Sequence, residues 1–237
     1  MRHSQTVAAL GAFREQRRIF DIISNNLSNV QTAGFKKDVP IFYTLLNQSM
    51  DRFPTLAVDQ MMTQYYQGNV QNTGKELDLA VEGEGFFKIK TPQGMRYTRA
   101  GNFSLNNDRV LINADGFPVM GRTKEITLKG QPVTVEKDGT IKVAGSETDK
   151  IALVTFPDLD LLKKEGHTLF RLEVPQKEVE VRDSKVLQGA LEASNVNPIE
   201  EMVNMIDAFR SYESCLKIIQ SHDEMNNKAV NELGRMG

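Results

Sequence analysis

The sequence predicts an α+β protein in which amphipathic helices at the two ends of the chain pair as a coiled-coil-like layer, with an antiparallel β-domain inserted between them. Apolar residues recur at helical spacing near both ends, and turn signals separate short apolar runs in the middle. The predicted division is 1–37 with 190–237 as the helical domain, 38–76 as a mostly extended connection and 77–189 as the β-rich domain.

The amino-terminal helix is predicted from apolar residues that fall on one helical face. These residues are Val7, Leu10, Phe20, Ile23, Leu27 and Val30. Gly34 is expected to stop the helix or to form a turn, because glycine readily adopts the left-handed conformation found there. Phe35 would then anchor the departing chain, and Lys36 and Lys37 would be solvated.

The same stretch carries Asn25, Asn26 and Asn29, although asparagine favours caps and turns over helix interiors. All three flank the apolar stripe. Two interpretations stay open at this point. The amides bond across a helix seam only when the register is right, which would specify pairing, or they weaken the last helical turns before Gly34.

The carboxyl-terminal helix has a predicted start at Asn197, which can cap it, followed by Pro198 in the first turn. Its apolar stripe continues at helical spacing along Met202, Ile206, Phe209, Leu216 and Ile219. The two terminal stripes can be buried against each other or against neighbouring copies of the protein. The second arrangement would produce a polymer.

Antiparallel β-structure is predicted between the helices. Asp115-Gly116 and Asp138-Gly139 are hairpin signals, and the sequence NND at 106–108 is another turn cluster. The apolar runs between these turns read GFFKIK, NFSL, RVLIN, PVTVEK, TIKVA and IALVTF. They indicate six to ten strands in a barrel or a sandwich.

Composition excludes several classes of protein. The 237 residues are 40% hydrophobic and 25% charged with a net charge of -2, which gives no reason to expect nucleic acid as a partner. No apolar run approaches the length of a membrane span, so no membrane insertion is expected. The amino end has no continuous apolar core, so the sequence predicts either cytoplasmic residence or export without a cleaved signal.

Catalysis and metal binding are not expected. Asp78, Glu82 and Glu84 lie close together in the sequence, but no histidine is nearby, and strand alternation accounts for them as an outward face. No cofactor is predicted. The alternatives are a wall-lytic enzyme with helical arms and a scaffold whose β-face binds a partner.

Five stretches together resemble the flagellar basal-body rod and hook family of bacterial axial proteins. They read SNNLSNVQTAGFKK, LDLAVEGEGFFKI, RYTRAGNFSLN, NADGFPVMG and LEASNVNPIEEMVNMIDAFRSYE, and they occur in this order from the beginning to the end of the chain. Within the family the chain resembles the proximal rod members through SNVNPIEEMV. The distal rod members are the alternative, because DIISNNLSNVQTAGFK suits them equally.

The resemblance implies a non-enzymatic subunit of the periplasmic rod, exported by the flagellar type III apparatus. Its partners would be further copies of itself and other axial subunits, joined through the terminal helices. The residues expected at this assembly interface are Asn25, Asn26, Leu27, Asn29, Val30, Gly34, Phe35, Met202, Ile206, Phe209, Leu216 and Ile219.

Overall fold

The computed structural model describes residues 2–45, 55–166, 168–181 and 183–233. Its contacts divide the chain into two compact units. Unit 1 groups the described residues of Met1–Ser28, Asp38–Met62 and Asn197–Gly237, and unit 2 those of Asn29–Lys37 and Thr63–Val196. The segment 29–37 therefore groups with the β-rich unit, whereas the sequence division assigned it to the helical domain.

Unit 1 contains the two predicted terminal helices, α1 (Arg2–Ser28) and α2 (Pro198–Leu233), which pack against each other. The rings of Phe13 and Tyr212 lie 5.1 Å apart between centroids, and near the other end of α1 Asn26 bonds to Glu201. The order of these contacts along the two helices makes them antiparallel. Buried Ile22, Ile23 and Ala208 supply apolar area in this unit.

The start of α2 follows the sequence prediction. The Asn197 side-chain oxygen accepts hydrogen bonds from the backbone N–H groups of Ile199 at 3.1 Å and Glu200 at 3.4 Å. These are donors that the first helical turn cannot satisfy internally. The predicted cap at Asn197 is confirmed.

Seventeen strands are described, of which β1 (Asp38–Leu45) and β2 (Thr55–Thr63) form a two-stranded sheet of their own. Both lie in the predicted extended connection, as does β3, and residues 46–54 of that connection lie outside the described residues. The other strands are β3 (Val70–Asn72), β4 (Leu79–Glu82), β5 (Phe86–Thr91), β6 (Gly94–Thr98), β7 (Ser104–Leu105), β8 (Leu111–Ile112), β9 (Val133–Val135), β10 (Thr140–Val143), β11 (Ser146–Lys150), β12 (Leu153–Thr155), β13 (Leu162–Glu165), β14 (Leu169–Leu172), β15 (Val179–Glu180), β16 (Lys185–Gln188) and β17 (Ala190–Glu192).

The described strands pair antiparallel in unit 2, and the α+β class is confirmed. The largest sheet has the order β13-β14-β6-β5-β12-β15, a second has the order β11-β10-β9, and the rest are two-stranded. The prediction of six to ten strands was too low, because several strands of only two or three residues leave no alternating pattern long enough to recognise. The turns at Asp115-Gly116 and Asp138-Gly139 both join strands or bridges as predicted.

Strand β5 separates the two apolar clusters of unit 2. Phe87 and Ile89 belong to the larger cluster, while Phe86 belongs to the smaller one with Tyr97 and Phe170. Successive side chains of a strand point to opposite faces of the sheet, so the adjacent pair Phe86-Phe87 supplies one ring to each cluster. Unit 2 therefore contains most of the apolar core among the described residues.

Candidate assembly interface

Asn26 lies where α1, β1 and α2 meet within unit 1. Its side chain is 1% exposed, and its Nδ2 donates to the backbone oxygen of Asp38 at 2.8 Å and to Glu201 Oε2 at 3.1 Å. Its Oδ1 accepts from the Asp38 backbone N–H at 3.0 Å. A single amide thus bonds from α1 to the start of β1 and to the first turns of α2.

The neighbouring predicted residues have different surroundings. Asn25 is exposed, and Leu27 and Val30 are half-buried. Asn29 is buried, and it accepts hydrogen bonds from Thr32 through both its backbone oxygen and its side-chain oxygen, each at 3.1 Å. These bonds shape the turn that follows the end of α1 at Ser28.

Gly34 stands at a close approach of two backbones inside unit 2. Its φ is +68°, and a Cβ at this position would lie 2.2 Å from the backbone nitrogen of Ala100. Only glycine fits both the conformation and the space. The prediction of a turn at Gly34 is confirmed, although α1 itself ends earlier.

Phe35 is fully buried, in agreement with the expected anchor, and Lys164 Nζ lies 4.1 Å from the centre of its ring. The predicted solvation of the next two residues was wrong. Lys36 is 0% exposed, and Lys37 is also buried. The Lys36 ammonium forms an ion pair with Glu192 and donates to the Tyr66 backbone oxygen at 2.8 Å. A buried lysine requires such partners because an isolated ammonium is costly to remove from water.

Arg99 joins the same buried carboxylate from another direction. Its Nη1 lies 3.3 Å from Glu192 Oε2, and its Nη2 donates to the Gly83 backbone oxygen at 2.8 Å. Glu192 is fully buried and also accepts the Gly68 backbone N–H at 3.0 Å. Burial lowers the pKa of both Lys36 and Arg99 from their ordinary values, while Glu192 acts in the opposite direction. We call Lys36, Arg99 and Glu192 the root cluster.

The sequence analysis missed the root cluster, because the inward position of Glu192 is visible only in the structure. In strand β17 the burial pattern alternates, and Glu192 has the same parity as the buried Ala190. Period-two alternation places both side chains on one face of the strand. An acidic residue in a buried position calls for a cation nearby. The position of that cation in the sequence is not given by any local pattern.

The predicted stripe of α2 divides into two parts. Met202, Ile206 and Phe209 are 51%, 53% and 52% exposed, whereas Leu216 and Ile219 are half-buried. Met202, Ile206 and Phe209 are therefore not buried against α1. For these three residues, the arrangement in which the two terminal stripes bury each other was wrong. The side of α2 that carries buried residues has Glu201 and Ala208, seven residues apart.

Two more exposed apolar residues, Ile199 and Val203, lie on the same side of α2 as Met202, Ile206 and Phe209. We call these five residues the outer stripe of α2. They follow one another at spacings of three, one, three and three residues, which places them on one helical face. The outer stripe is therefore a candidate interaction surface.

The acids considered for catalysis do not form an outward face. Asp78 is buried and accepts the Thr73 hydroxyl at 2.7 Å, while Glu82 and Glu84 are exposed. The outward placement predicted for Asp78 was wrong, because its side chain serves the turn before β4. Across the described part of the chain, no cluster of three or more His, Cys, Asp or Glu residues is placed to hold a metal ion. None of the described helices is long and apolar enough to cross a membrane.

Three family models match the chain at its beginning, middle and end. They are described as flagella basal body rod protein (residues 8–36), flagellar hook protein FlgE/F/G D1 domain (residues 80–143) and flagellar basal body rod FlgEFG protein C-terminal (residues 187–232). The flagellar basal-body rod protein FlgF of Caulobacter vibrioides is 34% identical over 234 residues, covering 93% of this chain and 94% of that protein. The chain belongs to the flagellar basal-body rod protein family.

Relatives of two names align along almost the whole chain. The basal-body rod protein FlgG of Bacillus subtilis is 31% identical over 242 residues, covering 89% of this chain and 92% of that protein. FlgG of Borreliella burgdorferi is 34% identical over 257 residues, covering 94% and 96%. Sequence identity therefore supports membership of the rod family but does not separate FlgF from FlgG.

The matched regions contain the interface residues described above. The first match includes Asn26, Gly34 and Lys36, and the last includes Glu192 together with the outer stripe of α2. The middle match contains Arg99. Each member of the root cluster is thus supplied by a different family region.

Proposed function

We propose that this rod-family chain is a structural subunit that polymerises through its terminal helices in the flagellar basal-body rod. The observation that carries the proposal is the outer stripe of α2, with five large apolar side chains exposed on one face. A neighbouring copy of the chain or another axial subunit covers this stripe in the assembled rod. The paired α1 and α2 then form a coiled-coil-like inner layer.

Burial of the stripe favours association. Full burial of a large apolar side chain contributes roughly 1.5–3 kcal/mol. Met202, Ile206 and Phe209 are each about half exposed, so each contributes about 1 kcal/mol when a neighbour covers it.

Membership of the rod family supports a proposal for localisation and partners. The proposed subunit is exported by the flagellar type III apparatus and joins the periplasmic rod, where its role is structural. Within the rod, a proximal position is proposed on the SNVNPIEEMV stretch, with a distal position as the alternative.

The decisive experiment replaces Ile206 with Asp. Because Ile206 is 53% exposed, the purified variant should melt like the original protein, whereas a charge inside the covered stripe should prevent assembly. Motility and the yield of basal bodies report assembly in cells that produce only the variant. Ser211→Asp is the matched control, because Ser211 is also exposed on α2 but lies outside the stripe. Normal basal bodies with Ile206→Asp would contradict the proposal.

A further inference from the structure

We propose that Glu192 controls the docking of the segment that follows α1. Residues 33–37 pack against the rest of unit 2 only after the segment that precedes α2, with the Glu192 carboxylate, is in place. This control acts while a single copy of the chain folds and does not involve other copies. It arises from the root cluster, where one buried carboxylate meets two buried cations.

The segment after α1 forms hydrogen bonds with the segment before α2. Gly34 N–H donates to the Glu192 backbone oxygen at 2.8 Å, and Lys37 N–H donates to Asn195 Oδ1 at 2.6 Å. Asn195 N–H in turn lies 3.4 Å from the Phe35 backbone oxygen. Docking of residues 33–37 is therefore incomplete until residues 192–195 are in place.

The charges make Glu192 indispensable for this arrangement. Without its carboxylate, the docked state would hold Lys36 and Arg99 as two buried cations, and the cost of desolvation is several kcal/mol for each ion. Arg99 is already under-satisfied, since its Nε is buried with no hydrogen-bond partner. The undocked segment keeps Lys36 in water and avoids this cost.

Close backbone contacts exclude a loosely docked alternative. A Cβ on Gly34 would lie 2.2 Å from the Ala100 nitrogen, and one on Gly68 would lie 2.0 Å from the Ala193 oxygen. Both glycines sit where two backbones touch directly, so a shift of one residue in register brings a side chain into the contact. The segments can pack in the observed register or remain apart.

The order of the chain gives this arrangement a consequence. Lys36 and Glu192 are 156 positions apart, so the segment after α1 is synthesised long before the carboxylate that pairs with it. Most of unit 2 precedes Glu192 in sequence. The segment adjoining α1 therefore stays undocked until the rest of unit 2 has almost entirely folded. Its docking then depends on the Glu192 carboxylate.

Hydrogen exchange of full-length Glu192→Gln tests the proposal. The variant keeps the shape of residue 192 and removes its charge. Exchange should rise by about tenfold or more in residues 33–37, while amides in β5 and β10 of the larger core stay protected. Glu178→Gln is the control, because Glu178 pairs with Lys88 in a partly exposed ion pair and should leave residues 33–37 unchanged.

A second variant separates charge control from simple loss of packing. Lys36→Met combined with Glu192→Gln restores the original net charge of the root cluster, and it should recover most of the protection of residues 33–37. If Glu192→Gln does not fold, the double variant should still do so. Exchange that rises equally in β5 and β10, or a double variant no better protected than Glu192→Gln, would overturn the proposal.

Discussion

At the scale of single residues, Lys36 shows where local sequence patterns stop being informative. Two consecutive lysines after Phe35 are typical of a solvated turn, yet Lys36 is fully buried. Its partner Glu192 is far away in the sequence, and Arg99 comes from a third region. Burial of charge depends on such tertiary pairing, so helical or strand periodicity cannot reveal it.

Asn26 is the opposite case, because its sequence context predicted its position beside the apolar stripe. The structure adds the partners, which are the backbone of Asp38 and the carboxylate of Glu201. Of the two interpretations left open for the asparagines, bonding across the seam describes Asn26. Asn29 accepts two hydrogen bonds from Thr32 and so helps to organise the turn after α1.

Replacement of Asn26 by Leu should destabilise unit 1 by about 1–3 kcal/mol, because buried polar groups lose hydrogen-bond partners. Leucine has the higher helix propensity, so a loss of stability cannot come from α1 alone. Thermal unfolding followed by far-ultraviolet circular dichroism measures the effect. Asn25→Leu is the control one position away, on an exposed side chain, and it should lower the melting temperature less than Asn26→Leu does. Equal melting of both variants would show that the Asn26 bonds contribute nothing.

At the scale of elements, the hairpin turns were predicted well because their signals are local. Asp138-Gly139 joins β9 to β10, and the Asp138 carboxylate accepts the Thr140 backbone N–H at 3.0 Å and the Thr140 hydroxyl at 2.9 Å. The turn is therefore encoded within a few residues. The faces of α2 were harder to assign, since apolar periodicity defines a stripe without identifying the surface that covers it.

The Asp138 turn has a definite dependence on pH. The bonds from Thr140, followed by that from Lys150, lower the pKa of Asp138 from 3.8 to about 2. Because the folded pKa is depressed, the stabilisation is fully present above pH 3.8 and is lost as the pH falls through about 2.

Carboxyl chemical shifts of Asp138, followed by nuclear magnetic resonance during an acid titration, should give a midpoint near 2. The shift requires the folded turn, so a peptide that spans only the β9–β10 turn should titrate near the ordinary value. A midpoint close to 3.8 in the folded protein would mean that the carboxylate does not hold the turn.

At the scale of the whole molecule, the α+β class and the terminal placement of the helices were both predictable, since they depend on periodicity over long segments. The division of the core was not. Phe86 and Phe87 are adjacent in the sequence, and their assignment to two different clusters required the sheet topology. Among the residues of unit 1 whose side chains the structure describes, the buried apolar ones are Ile22, Ile23 and Ala208.

The two units should therefore differ in local stability when the protein is a dilute monomer. Helices gain most of their stability from packing, and α2 leaves its outer stripe exposed to water. Hydrogen exchange should be fast in α1 and α2 and slow in the strands of unit 2 that surround the larger cluster. At concentrations that permit self-assembly, the helices should become protected, while Ile206→Asp should keep them in fast exchange. Strong protection of both helices in the dilute monomer would contradict this expectation, because the outer stripe would then have no part in ordering them.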